Sequence, residues 1–201
     1  MLRQAIGISF AALLFAGCDL LGGGDEVIER SGPLMPLDVG NTWTFEQQRS
    51  GEDDTERYTM ALVGMRAFDS TGAAQVDGHT FYEVQLRFEY GSEQQNFTRQ
   101  TSDGLLFFYY VAEDDYKEST FFQYPVGDGS EYRYTDVRGL PFTYTVEKET
   151  IETPAGRFAA YTYSGYDEDP KVSISFAPGI GPVRLAESGS ETLLVDYDRE
   201  D

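Results

Sequence analysis

The stretch TFYEVQLRFEY, residues 80–90, alternates large apolar side chains with charged or amide side chains along most of its length. The apolar positions on one face are Tyr82, Val84, Leu86, Phe88 and Tyr90. Successive side chains of a strand point to opposite faces of a sheet. This period of two therefore predicts a β-strand with one face buried and the other in water.

Outward from this stretch, strand-like runs recur along the chain with turn signals between them. The clearest turn signals are Asp77-Gly78, Ser102-Asp103-Gly104, Thr153-Pro154-Ala155-Gly156 and Ala177-Pro178-Gly179-Ile180. Pro154 and Gly156 are expected in a three-residue hairpin loop with a left-handed glycine, and Pro178 and Gly179 at the centre of a type II turn. We predict an all-β fold over residues 36–201, a single antiparallel meander of about ten strands forming a curved sheet, a barrel or a sandwich.

Residues 1–17 have the composition of a secretory signal peptide, since Arg3 precedes an apolar run that is too short for a permanent membrane span. The run ends in Leu14-Phe15-Ala16-Gly17-Cys18, which resembles the lipobox of bacterial lipoproteins, with Phe15 where that family prefers leucine. The resemblance implies cleavage before Cys18 and acylation of this cysteine, for example with palmitate. Lipidation would leave no free thiol for a disulfide or a nucleophile.

Residues 18–35 contain a glycine triplet, mixed charges and Pro33, a composition typical of a flexible tether. A lipid anchor at Cys18 predicts a cell-envelope location, at the outer membrane on its periplasmic side or at the cell surface. Asp19 resembles the signal that retains enteric lipoproteins at the inner membrane, so the inner membrane also stays open.

The chain is strongly acidic, with 35 Asp and Glu against 15 Lys and Arg and a formal net charge of −20. Such a charge argues against nucleic acid as a partner and against electrostatic docking on anionic lipid. The expected partners are the membrane, through the N-terminal lipid, and an apolar small molecule or another envelope protein. The excess of acidic residues is consistent both with a protein from a high-salt habitat and with an ordinary acidic surface, and the sequence leaves both explanations open.

Several short motifs resemble a broad group of bacterial envelope lipoproteins of unknown function. They are PLDVGNTWTF (36–45), Asp77-Gly78 before an aromatic strand, SDGLLFFYY (102–110), TPAGRFAAYTY (153–163) and SFAPGIGPVRL (175–185). The layout is also similar to the LolA/LolB-type envelope carriers, in which a curved antiparallel sheet shields an apolar cavity. Neither resemblance implies an active site.

Residue types suited to catalysis or to metal binding are sparse in this chain. His79 is the single histidine, so a histidine-based triad or zinc site lacks its partners. Asp167, Glu168 and Asp169, stiffened by Pro170, are the best of three acidic clusters as a weak candidate for a Ca²⁺ loop, and solvated loop charge is the favoured explanation for them. We predict no cofactor, no catalytic residue and no enzymatic activity.

The aromatic run Phe107, Phe108, Tyr109 and Tyr110 is the strongest candidate for ligand binding. Four consecutive residues of a strand must point to both faces, so they either fill a core or line an apolar groove. We expect a lipid-anchored binding or carrier module for an apolar ligand. An envelope scaffold that binds other proteins and a carboxylate-based hydrolase are the alternatives.

Overall fold

A computed structural model describes residues 26–51, 54–111, 116–165, 172–187 and 189–199. The strands in these ranges are β1 (Val27–Ile28), β2 (Thr42–Arg49), β3 (Thr55–Phe68), β4 (His79–Phe88), β5 (Glu93–Thr101), β6 (Gly104–Val111), β7 (Tyr116–Gln123), β8 (Ser130–Thr135), β9 (Pro141–Thr153), β10 (Gly156–Gly165), β11 (Ser173–Ala177), β12 (Gly181–Glu187) and β13 (Ser190–Asp198). Within the described ranges, no helix is long and apolar enough to cross a membrane.

Twelve of these strands form one antiparallel sheet in the order β7-β6-β5-β4-β3-β2-β13-β12-β11-β10-β9-β8. Strands β2 to β7 form one meander and β8 to β13 form another, each strand pairing with the next in sequence, and the pairing of β2 with β13 joins the two arms. The sheet curls until its edge strands β7 and β8, which follow each other in the chain, come together. The predicted all-β antiparallel meander is therefore confirmed, as a nearly closed sheet.

One end of the space inside the sheet is filled by side chains from distant parts of the sequence. Trp43, Leu34, Met35 and Ile180 are all fully buried there. The Trp43 indole Nε1 donates a hydrogen bond to the Ile180 carbonyl at 2.7 Å, across 137 residues of sequence. This contact joins the turn after β11 to the start of β2. The motifs at residues 36–45 and 175–185 therefore meet at this filled end of the sheet.

Residues 26–35 pack onto the sheet, although the sequence analysis assigns them to the flexible tether. β1 pairs in parallel with β10, placing Val27 opposite Arg157. The Gly179 amide donates a hydrogen bond to the Pro33 carbonyl at 2.7 Å. This part of the predicted tether is therefore not free, because its apolar residues have a buried place on the domain. Residues 18–25 lie outside the described residues.

A second apolar cluster lies on the opposite, outer face of β3 to β6. Its largest members are Phe68, Phe81, Phe97 and Phe108, each 4% exposed or less. Phe68 contacts the other three rings edge-on at centroid distances of 4.8–5.7 Å. The segment 69–78 folds over this face and adds Ala73 and Val76 to the cluster.

The outer cluster changes the pattern expected for residues 80–90. Val84 is buried inside the sheet as predicted, but Phe81 on the other face is also fully buried. Tyr90, predicted to share the buried face with Val84, is 68% exposed because β4 ends at Phe88 and the chain turns there. The alternation holds in the middle of the strand and fails at both of its ends.

The turns follow the sequence expectation with one difference. The Ile180 amide donates to the Ala177 carbonyl at 3.0 Å, and Gly179 at its centre has a φ of 71°, which suits a type II turn. The Pro154 hairpin has a two-residue loop, since Gly156 already pairs with Thr153. Gly156 therefore opens β10 and does not close a three-residue loop.

Candidate functional site

The two edge strands of the sheet meet along a seam that side chains hold together. Among the described residues, β7 and β8 form no backbone ladder with each other. The Tyr132 hydroxyl donates to the Phe121 carbonyl at 2.7 Å, and the hydroxyls of Tyr134 and Ser119 lie 2.5 Å apart. The seam is thus the place where the curved sheet is closed by tyrosine hydroxyls in place of paired strands.

A cavity of about 220 Å³ lies behind this seam. Side chains from both arms of the sheet line it, among them Phe107, Phe122, Tyr144, Tyr163, Ile174 and Leu185. Phe122 is the central ring, with centroids 5.2 Å from Tyr163 and 5.9 Å from Phe107. The Tyr163 hydroxyl donates to the Gln123 carbonyl at 2.8 Å, so its polar end is satisfied and its ring faces apolar neighbours.

A second cavity of about 200 Å³ lies next to the first. Phe45, Tyr58, Met60, Val84 and Leu86 contribute to its lining. Three side chains, those of Phe107, Ile174 and Leu185, line both cavities and therefore stand between them. Each cavity alone is smaller than the roughly 300–1,000 Å³ of typical small-molecule sites. We refer to the two together as the seam cavities.

Most of the side chains that line the seam cavities are apolar, and Arg184 at the second cavity is the charged side chain among the described lining residues. Burial, together with the nearby charge of Glu187, raises the pKa of Tyr58 to about 12, although a hydrogen bond with Thr192 partly offsets it. Burial also raises the pKa of Tyr163 well above its usual range. Among the described residues, neither cavity has an aspartate or glutamate in its lining. Such an interior can hold an apolar group and offers no obvious acid–base pair.

A polar groove of about 450 Å³ lies at the tips of the β2–β3 and β12–β13 hairpins. Glu187 and Glu191 both line this groove, which is the arrangement that a carboxylate-based hydrolase would need. The Arg184 guanidinium, however, donates to Glu191 at 2.8 Å from its Nε. Glu191 is thereby held in an ion pair, which explains its position structurally.

The predicted aromatic run divides between two environments. Phe107 lines both seam cavities, whereas Phe108 points to the outer face and is buried in the Phe68 cluster. Tyr109 is half-buried and lines a separate shallow groove with Asn96 and Glu118. The Tyr110 side chain lies outside the described residues. Of the three described side chains in this run, only that of Phe107 lines the seam cavities.

Most of the cavity lining comes from strands that the sequence analysis did not single out. Phe122, Tyr144 and Tyr163 lie on three different strands and meet only because β7 closes against β8 and β9. The signal available in the sequence was the alternation of aromatic residues in FFQY, FTYTV and AAYTY. That alternation gives the face of each strand but not its partner across the interior.

The other residues considered as sites are the single histidine, the lipidation cysteine and the acidic Ca²⁺ candidate. His79 is exposed at the start of β4, and its amide donates to the Val76 carbonyl at 3.2 Å. Cys18 and the candidate Ca²⁺ loop Asp167–Asp169 lie outside the described residues. No group of three His, Cys, Asp or Glu residues in the described part of the chain is placed to hold a metal ion.

Comparison with known proteins gives a fold but no family. No protein-family model and no curated protein matches the chain. A candidate lipoprotein from Parabacteroides distasonis is similar in structure, with a TM-score of 0.50 and 11% identity over 85% of this chain and 100% of that one. A candidate exported protein with a YmcC-like fold from Bacteroides fragilis aligns at a TM-score of 0.45 and 13% identity, over 82% and 98% of the two chains.

These comparisons limit what can be transferred to this chain. At 11% identity the first likeness shows a shared all-β fold, and the second is too distant to add to it. The resemblance based on short motifs and the LolA/LolB-like layout stay predictions. Ligand and activity have to be argued from the molecule itself.

Proposed function

We propose that the protein is a lipid-anchored lipoprotein of the bacterial cell envelope whose β domain binds an apolar ligand in the seam cavities and catalyses no reaction. The observation that carries the proposal is the apolar cavity of about 220 Å³ directly behind a seam that lacks a backbone ladder. A ligand can enter there by displacing side chains, without breaking a strand pair.

The shape of the interior favours an elongated ligand such as an acyl chain. The side chains of Phe107, Ile174 and Leu185 line both cavities, and those of Phe107 and Leu185 are half-buried. A rotation of Phe107 would join them into one longer apolar space. Burial of apolar ligand surface contributes about 25 cal/mol per Å² before the costs of ordering are subtracted, so a matching acyl chain has a sufficient driving force.

The envelope location rests on the N-terminal sequence. The signal-like residues 1–17 and the lipobox-like run ending at Cys18 support export and acylation. The structural neighbour from Parabacteroides distasonis is itself named as a candidate lipoprotein, which agrees with this location. We expect the native chain to incorporate labelled palmitate and to fractionate with membranes, and Cys18→Ser to do neither. Membrane fractionation of Cys18→Ser, with no label in the native chain, would contradict the anchor.

Native mass spectrometry tests the ligand directly. Residues 19–201, exported to the periplasm without the anchor, should carry an additional lipid-sized mass that organic solvent removes. Ile174→Trp should reduce this mass and weaken binding of a fluorescent fatty acid, because Ile174 lines both cavities. Met65→Trp is the matched control, since Met65 is 57% exposed and lines neither cavity.

A scaffold that binds other envelope proteins is the second candidate. The small volume of each cavity and the filled end around Trp43 favour it, because both are features of a packed core. If the exported domain carries no additional mass and Ile174→Trp behaves like Met65→Trp, the interior is packed and the scaffold function replaces the carrier function.

A further inference from the structure

Two arginine side chains lie over the outer aromatic cluster, away from the seam cavities. The Arg66 guanidinium carbon is 5.2 Å from the ring centroid of Phe68 and 5.6 Å from that of Phe97. The Arg99 guanidinium carbon is 5.5 Å from the centroid of Phe81. Contacts of this kind hold a guanidinium in place over a ring without using its N–H donors, which lie in the plane of the guanidinium.

Among the described residues, neither arginine has a carboxylate partner, although the chain has a large excess of carboxylates. Several other arginines form ion pairs, among them Arg57 with Glu46 and Arg184 with Glu191. Among the described residues, no carboxylate oxygen lies within 4 Å of Arg66 or Arg99 in an ion pair. The Nε of Arg99 is in addition buried without a hydrogen-bond partner. A buried donor of this kind is normally satisfied by a partner, by water or by a ligand.

The two arginines flank one strand. Arg66 on β3 pairs with Phe81 on β4, and Arg99 on β5 follows Thr98, the partner of Tyr82. Arg66, Phe81 and Arg99 therefore form a row across three neighbouring strands, with the arginine Cα atoms about 9–10 Å apart, twice the spacing between strands. Arg99 lies over Phe81, and Arg66 lies over Phe68 and Phe97. Because the Phe68 and Phe81 rings are in contact, side chains as long as arginine can reach one small group between the two guanidinium groups.

We propose that Arg66 and Arg99 form a binding site for a phosphate group on the outer face of β3 to β5. The guanidinium presents its N–H donors in a planar fork that matches the oxygens of phosphate, and two forks can share a tetrahedral oxyanion. The overall charge of −20 repels anions at long range, so binding here depends on the local geometry. The site is independent of the proposed carrier function, because the opposite face of the sheet lines the cavities.

Arginine side-chain NMR tests this site in the anchor-free chain of residues 19–201. Titration with inorganic phosphate should shift the Nε–Hε signals of Arg66 and Arg99 along a saturable curve, with sulfate as a second anion of similar shape. Arg99→Lys keeps the charge but loses the fork, and we expect it to weaken phosphate binding at least tenfold. Arg133→Gln removes one charge from an exposed site on β8 and should leave the affinity unchanged.

Vesicles distinguish a lipid phosphate from a free phosphate. If the site recognises the phosphate group itself, inorganic phosphate shifts the arginine signals and competes with phosphatidylglycerol vesicles. If it needs the lipid headgroup, only vesicles bind, and Arg66→Gln or Arg99→Lys abolishes that binding. The proposal is overturned if two results occur together. The wild-type arginine signals shift linearly with phosphate and do not saturate, and the vesicles bind the wild-type protein no better than they bind Arg66→Gln or Arg99→Lys.

Discussion

Trp43 is the residue that connects the most distant parts of the chain. Its indole N–H donates to the Ile180 carbonyl, and a Cβ added at Gly181 would lie 3.0 Å from its Nε1. Only glycine at position 181 therefore lets the backbone approach the ring this closely. The alternation in NTWTFEQ predicts that Trp43 faces inward, but its partner, 137 residues away, follows from the pairing of β2 with β13 and not from local pattern.

Replacing Trp43 by phenylalanine should destabilise the domain by about 1–3 kcal/mol, because the buried Ile180 carbonyl loses its donor and the smaller ring leaves a gap. Urea unfolding followed by far-ultraviolet circular dichroism measures the change. Tyr90→Phe is the control, since Tyr90 is 68% exposed and its substitution should have almost no effect. Equal stability of Trp43→Phe and the wild type would show that the contact is dispensable.

The seam is the element that differs most from the rest of the fold. Every other neighbour in the sheet order is joined by a backbone ladder, whereas β7 and β8 depend on the hydroxyls of Tyr132, Tyr134 and Ser119. The Val137 amide donates to the Ser119 hydroxyl at 3.0 Å and extends the contact into the turn after β8. Because few backbone hydrogen bonds protect it, the seam should open more readily than the paired strands.

Tyr132→Phe tests the role of the seam. Loss of the hydrogen bond to the Phe121 carbonyl should lower the free energy of unfolding by about 1 kcal/mol and speed hydrogen exchange in β7 and β8. Tyr197→Phe is a matched control, because no hydrogen bond of the Tyr197 hydroxyl occurs among the described residues. If both variants exchange alike across β7 and β8, the hydroxyl of Tyr132 does not hold the seam.

The strands themselves were accessible to sequence reasoning, and their closure was not. The alternation in TFYEVQLRFEY and the turn glycines predict β4 and its neighbours well, because both are local properties of the chain. No local pattern predicts β1, because its two residues pair with β10, more than a hundred positions later. The outer burial of Phe81 and Phe108 is not a local property either, since segment 69–78 covers them only in the folded molecule.

At the scale of the whole molecule, the acidic exterior contrasts with an interior rich in neutral tyrosines. Burial is the main cause that raises the pKa of Tyr58 to about 12 and raises those of Tyr132 and Tyr163 further above their usual range. These side chains lie along the seam cavities and the seam, so their protonation is coupled to the packing of the interior.

This coupling predicts a sharp loss of stability in alkali. A pKa raised in the folded state means that the contribution to stability is fully present below the unfolded tyrosine pKa of about 10. It is lost as pH rises from there towards about 12 for Tyr58, because the unfolded chain ionises first. The two-unit difference at Tyr58 corresponds to roughly 2–3 kcal/mol at full ionisation.

Tyrosinate absorbance and far-ultraviolet circular dichroism, recorded together against pH, measure this transition. We expect exposed tyrosines such as Tyr90 to ionise first and the buried ones to ionise in one cooperative step with loss of the sheet. Tyr58→Phe removes one of the ionising groups. Once any difference in stability at neutral pH is taken into account, the variant should unfold at a higher pH than the wild type. Smooth ionisation of all tyrosines near pH 10 with the sheet intact would mean that water reaches the interior freely, and that the seam cavities are too wet to bind an apolar ligand.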